Sequence, residues 1–306
     1  MVKNNPNVAV YFSSTNVKNK RKNDVLLAFL RGIQRQKLTV IPVYDERRLV
    51  RARLAVILGW YSPHSKLYGV NLVRKNVILF QKNTGNKVMA IDAGCWKYCD
   101  PDNRFLRYSL NGVFYDQDEY ANKNSSQDKY NLLSKELGIT LQPWKTDGHY
   151  ILLLMQRNAG WSMKGLTPLT WVTNKIEELK KYTDRKILVR PHPIGTKLEE
   201  ITSLKKIPGI KISNYTNTSI QEDLRKAHAA LVFNSSSGVA AIMNGVPLFV
   251  DDKSAVCYQV ANYDLKNIEN PARPERQQWL NDLAACHWSD DEVLSGQLYQ
   301  KFKQYL

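Results

Sequence analysis

A chain of 306 residues exceeds the size at which one hydrophobic core stops growing, so two domains of roughly 150 residues each are expected. Its 43% hydrophobic and 24% charged residues exclude intrinsic disorder, and four cysteines at this length exclude a disulfide framework. The net charge is +16 and lies on one side: residues 1–146 carry 24 basic and 11 acidic side chains (+13), residues 147–306 carry 20 and 17 (+3). A field of that size draws polyanions to the N-terminal half, although a Lys-rich solvated surface has the same composition.

Cys95 and Cys99 have no second pair at metal spacing, so all four thiols read as reduced and no metal site is expected. The sequence shows neither a membrane-spanning apolar run nor a signal-peptide pattern, which predicts a soluble cytoplasmic protein without stable membrane association.

In chain order, 8–13 reads as a buried strand. Residues 24–36 place Val25, Leu26, Phe29, Leu30 and Ile33 on one helical face. Strands follow at 38–43 and 54–58, a helix at 66–75, and strands at 77–81 and 87–91. This β-α-β alternation predicts a parallel sheet with helices on its faces. Residues 92–130 break the pattern as a long irregular segment rich in aromatics, a composition that points to function rather than disorder. After a linker near 142–148 a second series begins: strand 150–155, helix 169–182, strands 186–189 and 210–213, helix 220–227, strand 229–233, helix 238–244 and strand 247–250. Residues 273–306 read as one or two helices. The domains are therefore drawn at 1–146 and 147–306, each Rossmann-like, facing a cleft.

Several loops that leave strand ends carry candidate chemistry. Asn234-Ser235-Ser236-Ser237-Gly238 follows an apolar strand and opens a helix; its backbone N–H groups and hydroxyls suit a phosphate, and plain helix capping is the alternative. Arg190-Pro191-His192-Pro193 holds an Arg and a His on a rigid backbone, either for phosphate or as a simple turn. Gln156-Arg157-Asn158, followed by Gly160-Trp161-Ser162, leaves a third strand of the same half. All three converge on one sheet edge, where open α/β sheets bind ligands. In the first half, Asp92 ends a strand and would take a proton from an acceptor hydroxyl, or else form an Asx-turn or cap. Arg104, Arg107, Tyr108 and Asn111 mix basic and aromatic groups in a way that suits phosphate contact and base stacking. Further basic clusters lie at Lys18, Lys20, Arg21 and Lys22, and at Arg47, Arg48, Arg51 and Arg53.

RPHP at 190–193, AHAALVFNSSSGVAAIMNGVPLFVDD at 227–252 and IENPARPERQQWLNDLAACHWS at 268–289 resemble a group of bacteriophage-encoded glycosyltransferase-like proteins, distantly similar to capsule-polysaccharide transferases. IDAG at 91–94, RYSLNG at 107–112 and ILLLMQRN at 151–158 extend the resemblance along most of the chain. It implies a GT-B architecture: two Rossmann-like domains, a C-terminal nucleotide-sugar site, an N-terminal acceptor site, no obligatory metal and no prosthetic group. The activity implied is transfer of a sugar, from UDP-glucose, to 5-hydroxymethylcytosine in double-stranded phage DNA within the infected host cytoplasm. By position, Gln156, Arg157, Arg190, His192, Asn234, Ser235–Ser237 and Gly238 would hold the donor and Asp92 would be the base. Lys18, Lys20, Arg21, Lys22, Arg104, Arg107, Tyr108 and Asn111 would meet the DNA. Two other readings compete: transfer to a surface polysaccharide or lipid-linked glycan, and a non-catalytic DNA- or nucleotide-binding module.

Overall fold

The computed structural model describes residues 6–13, 18–62, 68–157 and 161–306. The chain divides into two compact units, Met1–Lys129 with Asn281–Leu306, and Tyr130–Leu280.

The first unit is built on a six-stranded sheet. Its strands are β1 (Val8–Tyr11), β2 (Val40–Val43), β3 (Leu54–Leu58), β4 (Lys87–Asp92), β5 (Phe105–Leu110) and β11 (His287–Ser289), in the spatial order β11-β5-β4-β3-β1-β2. β2, β1, β3 and β4 run parallel, and β5 and β11 add antiparallel pairings. Successive side chains enter opposite cores, as the pleat requires. Val8, Val10, Leu54 and Val56 pack with Val25, Leu26, Phe29 and Ile33 of α1 (Lys20–Arg35). Ala9, Tyr11, Ala55 and Ile57 pack with Val73, Val77 and Ile78 of α2 (Gly69–Asn83). Strands covered on both faces need continuous apolar runs, which is how these segments read in the sequence.

Two expectations are corrected here. The segment 77–81 is not a strand: α2 runs through it. Val73, Val77, Ile78 and Gln81 recur at helical spacing on its buried face, and the Gln81 amide donates to Val50 O at 2.9 Å. The segment 92–130 is not wholly irregular, because it contains β5, buried at every position, and opens α3 (Asp128–Leu137). The C-terminal residues, grouped by sequence with the second half, contribute β11 to the first sheet together with α9 (Asp290–Ser295) and α10 (Gln297–Phe302). Gly32 of α1 allows the close approach of α9, since a Cβ there would stand 2.1 Å from Val293 O.

The second unit has a five-stranded sheet of β6 (Tyr150–Leu154), β7 (Lys186–Arg190), β8 (Ile210–Ile212), β9 (Ala227–Val232) and β10 (Leu248–Val250), all parallel, in the order β10-β9-β6-β7-β8. Helices α4 (Pro168–Leu179), α5 (Leu198–Lys205), α6 (Ile220–Leu224) and α7 (Ser237–Met243) lie between the strands, and α8 (Gln277–Ala285) carries the division between the units. Thr167 and Pro168 start α4 in the favoured cap and first-turn positions, with Thr167 Oγ1 accepting from Thr170 N. The strand order is that of a Rossmann sheet and reverses between β6 and β9. There the crossovers leave in opposite directions and open a crevice at the strands' C-terminal ends. Both units are α/β and Rossmann-like, as the sequence predicts.

Candidate active site: the strand ends of the two sheets

At the β6/β9 reversal the Gln156 and Asn234 side chains tie the two loops together. Asn234 N donates to Gln156 Oε1 at 3.0 Å, and Gln156 Nε2 donates to Ser162 Oγ at 3.1 Å. Asn234 Nδ2 donates to Ser162 O and to Ser254 Oγ, both at 2.9 Å, while its Oδ1 is buried without a partner. Beside it, Ser237 N and Ser237 Oγ both donate toward Ser235 Oγ, at 3.2 and 2.9 Å. The turn thus presents clustered hydroxyls at the crevice, and Ser236 is exposed. Helix α7 is only seven residues long, so its dipole adds little and the side chains matter more. Gly238 serves packing: a Cβ there would lie 2.8 Å from Leu248 Cδ2, so the glycine lets α7 settle against β9 and β10.

The two arginines expected at the donor site differ. Arg157 is exposed at the end of β6 and makes no ion pair among the described residues. Arg190 is buried, and its guanidinium is held by the protein. Nη1 pairs with Asp223 Oδ2 at 2.5 Å, and further donor contacts reach Ser213 Oγ, Thr218 Oγ1 and the carbonyls of Tyr215, Thr218 and Ser219. With Nη1 and Nη2 engaged in this way, Arg190 braces β7 and α6. His192 is turned into its own loop, where Nδ1 sits 2.7 Å from Ile194 O and 3.0 Å from Ile194 N. Asn158 and Gly160 lie outside the described residues.

Sequence reasoning passed over the β10 end, where the stretch Asp251–Ser254 obeys the same strand-end rule. Asp252 accepts from Lys164 at 2.6 Å and from Ser254 N at 2.9 Å. Burial would raise its pKa, but these hydrogen bonds outweigh burial and hold the carboxyl below its ordinary range.

In the first unit Asp92 ends β4 and is partly exposed. Arg107 Nη2 donates to its Oδ2 at 2.8 Å and Arg107 Nε donates to Ala93 O at 3.0 Å, leaving Asp92 Oδ1 without a partner among the described residues. The loop after Asp92 is pinned by His287. Cys95 N donates to Nε2 at 2.9 Å and Nδ1 lies 2.8 Å from Leu283 O, so the proton sits on Nδ1. Burial first, then the Arg107 charge, push the His287 pKa down to about 3, so the ring stays neutral.

The expected nucleic-acid contacts divide. Lys18, Lys20 and Lys22 are exposed, with Lys20 paired to Asp24 at 2.7 Å. Arg21 instead pairs with Asp290 and donates to Asn103 O at 2.7 Å. Arg104 is exposed and lies 3.3 Å from Asp100. Arg107 is buried on Asp92. Tyr108 has no exposed surface and stacks on Phe29 inside the core, so it offers no face to a base. Asn111 is a turn residue at φ 68° whose Oδ1 accepts from Val88 N. Arg107 and Tyr108, both on β5 between β4 and β11, are thus closed to a ligand, whereas the lysines and Arg104 stay exposed. Among the described residues no group of three His, Cys, Asp or Glu is arranged to hold a metal ion, and no helix is long and apolar enough to cross a membrane.

No family model matches the chain, and no curated protein matches it. Solved structures do. The beta Kdo 2,7 transferase of Thermosulfurimonas dismutans KpsC aligns over 96% of this chain and 99% of its own at 16% identity, with a TM-score of 0.54. The beta Kdo 2,4 transferase of the same protein aligns over 91% and 90% at 14% identity, with a TM-score of 0.57. At such identities the likeness concerns the fold, and the fold is GT-B: two Rossmann-like domains in one chain.

Proposed function

We propose that the chain is a glycosyltransferase that moves a sugar from a nucleotide diphosphate sugar to an acceptor hydroxyl. The observation that carries this reading is the β6/β9 crevice, where Gln156 and Asn234 lock two loops together beside the Ser235–Ser237 hydroxyls and the exposed Arg157. Hydroxyls and an exposed guanidinium are the groups that receive a leaving diphosphate. In the reaction the acceptor oxygen forms a bond to the anomeric carbon and the bond from that carbon to the diphosphate breaks. The electron pair leaves with the diphosphate, and the hydroxyl proton passes to Asp92 Oδ1. Arg107 holds the other oxygen of that carboxylate and so orients the base. The donor is read as UDP-glucose and the catalytic machinery as the side chains named here, with no prosthetic group.

The acceptor reading is 5-hydroxymethylcytosine in double-stranded DNA. It is supported by the +13 charge of residues 1–146 and by the exposed Lys18, Lys20, Lys22 and Arg104. The target base would have to leave the stack to reach a carboxylate. A second reading, transfer to a glycan precursor, is favoured by the whole-length likeness to two Kdo transferases. The deciding experiment is transfer of labelled sugar from UDP-glucose to 5-hydroxymethylcytosine DNA at low salt, with unmodified DNA and a glycan precursor as parallel acceptors. Label in the modified DNA alone establishes the first reading, and label in the glycan alone establishes the second. Absence of UDP binding by calorimetry overturns the donor site itself.

A further inference from the structure

The first sheet has its own reversal of strand order, between β1 and β3, and the loop that leaves β3 there is Gly59–Ser62. Gly59 stands at φ +71°, and its N–H donates to Ile91 O at 2.7 Å, which fixes the end of β3 beside the end of β4, where Asp92 stands. The glycine also makes room for a side chain from α2: a Cβ at 59 would lie 2.9 Å from Arg74 Nη2.

Among the described residues Arg74 makes no ion pair. Among the described residues its one hydrogen bond is from Nη1 to Trp60 O, at 3.3 Å, and its Nε is buried with no partner. Asp92 lies within electrostatic reach but is already engaged by Arg107 at 2.8 Å, so the three side chains together keep one positive charge. Burial pulls the Arg74 pKa down, with Asp92 opposing the shift only in part. Arg190 shows what a structural arginine looks like in this same protein, with a carboxylate and three carbonyls around its guanidinium. A second polar atom, on the loop itself, is also unpartnered among the described residues. The Ser62 backbone is clamped by Asn71, one helical turn from Arg74 on α2, with Ser62 N donating to Asn71 Oδ1 at 2.8 Å and Asn71 Nδ2 donating to Ser62 O at 3.2 Å. Ser62 is 6% exposed, yet its Oγ has no hydrogen bond. Buried polar groups are normally satisfied, and two open ones, Arg74 Nε on α2 and Ser62 Oγ on the loop, beside a strand-order reversal mark a place where a ligand completes the hydrogen bonding.

We propose that Arg74 of α2 and Ser62 of the Gly59–Ser62 loop form an oxyanion subsite in the first unit that holds a carboxylate or phosphate group of the acceptor beside Asp92. This rests on the transferase reading and adds to it: the acceptor bears an anion close to the hydroxyl that receives the sugar. The planar guanidinium fork suits either anion.

The test is an NMR titration of the arginine Nε–Hε resonances of the full chain at constant ionic strength, using sodium phosphate and sodium acetate against sodium chloride. The Arg74 signal is identified by its loss in Arg74→Lys. A saturable shift of that signal with phosphate or acetate, absent with chloride, is expected, and the more effective anion tells a phosphate from a carboxylate source. Ser62→Ala keeps the resonance and raises the half-saturating concentration several-fold. No anion-specific shift, or an unchanged half-saturation in Ser62→Ala, overturns the subsite. UDP binding by calorimetry separates this result from the donor reading. A chain that binds the anion but not UDP keeps the subsite and loses the donor site. A chain that binds UDP and shows no anion shift does the reverse.

Discussion

The sharpest prediction concerns Arg190, the arginine that the sequence offers to a diphosphate and the structure gives to Asp223. Both members of that pair are nearly closed to solvent, with side chains 9% and 11% exposed. Arg190→Ala would strand the Asp223 carboxylate with only Ser213 Oγ to donate to it, and would leave the carbonyls of Tyr215, Thr218 and Ser219 short of a donor. Removing one partner of a buried pair costs about 3–5 kcal/mol. In a domain of this size each kcal/mol moves the midpoint by about 2–4 °C, so a fall of roughly 6–20 °C in the melting of the second unit is expected. Thermal unfolding followed by circular dichroism, repeated with and without saturating UDP, measures it. The double variant Arg190→Met with Asp223→Leu removes both charges and should recover most of the loss, because no charge is then stranded. An Arg190→Ala protein that melts within about 2 °C of the parent but no longer binds UDP would refute the bracing role and return the residue to the donor site.

Other consequences follow from the same geometry. Arg157→Ala should weaken UDP binding by roughly 10- to 100-fold, the worth of a charge-assisted contact, with the melting temperature unchanged; calorimetry and melting on one sample separate the two effects. Asp92→Asn should lower sugar transfer by roughly a hundred- to ten-thousand-fold while leaving UDP affinity intact, and wild-type turnover in that variant would remove Asp92 from the mechanism. Asp118 gives a pH signature. Burial raises its pKa from 3.8 to about 6, although Phe114 N donates to its carboxylate at 2.7 Å. A carboxyl that holds its proton more tightly when folded adds stability below the unfolded value, and this is lost as pH rises through about 4 to 6. The full shift would be about 3 kcal/mol; contact with solvent reduces it to about 1–2 kcal/mol. Asp118→Asn, which keeps the acceptor for Phe114 N, should therefore melt higher than the parent at pH 7 and equally at pH 4. Equal melting at both values would show that the carboxyl is not desolvated.

Much of the fold was legible because its signals are local. Strands buried on both faces read as apolar runs, and 8–11, 54–58, 150–154, 229–232 and 248–250 are such runs. Gln156 and the Ser235–Ser237 turn were likewise readable, since polar residues directly after a parallel strand stand at its C-terminal end whatever the rest of the chain does. The run at 77–81 misled because four apolar residues in succession fit a strand as well as a helix, and only the length of α2 and the contacts of Val73, Val77 and Gln81 choose between them.

By itself, then, the sequence determined the class of fold, the alternation of elements and the strand ends that carry polar loops. Tertiary structure decided which of those polar groups are open to a ligand. RPHP reads the same whether its arginine meets a phosphate or an aspartate 33 residues further on, and only the folded chain brings Asp223 of α6 to it. Tyr108 is closed because its face of β5 packs on Phe29 of α1, and Arg107 is flanked by β4 and by the distant β11, His287 standing opposite it. Arg74 carries no sequence signal at all; among the described residues it makes no ion pair, Arg107 having taken Asp92. A hydrophobic pattern is written by neighbours along the chain, whereas the satisfaction of a buried charge depends on groups that only folding brings within a few ångströms.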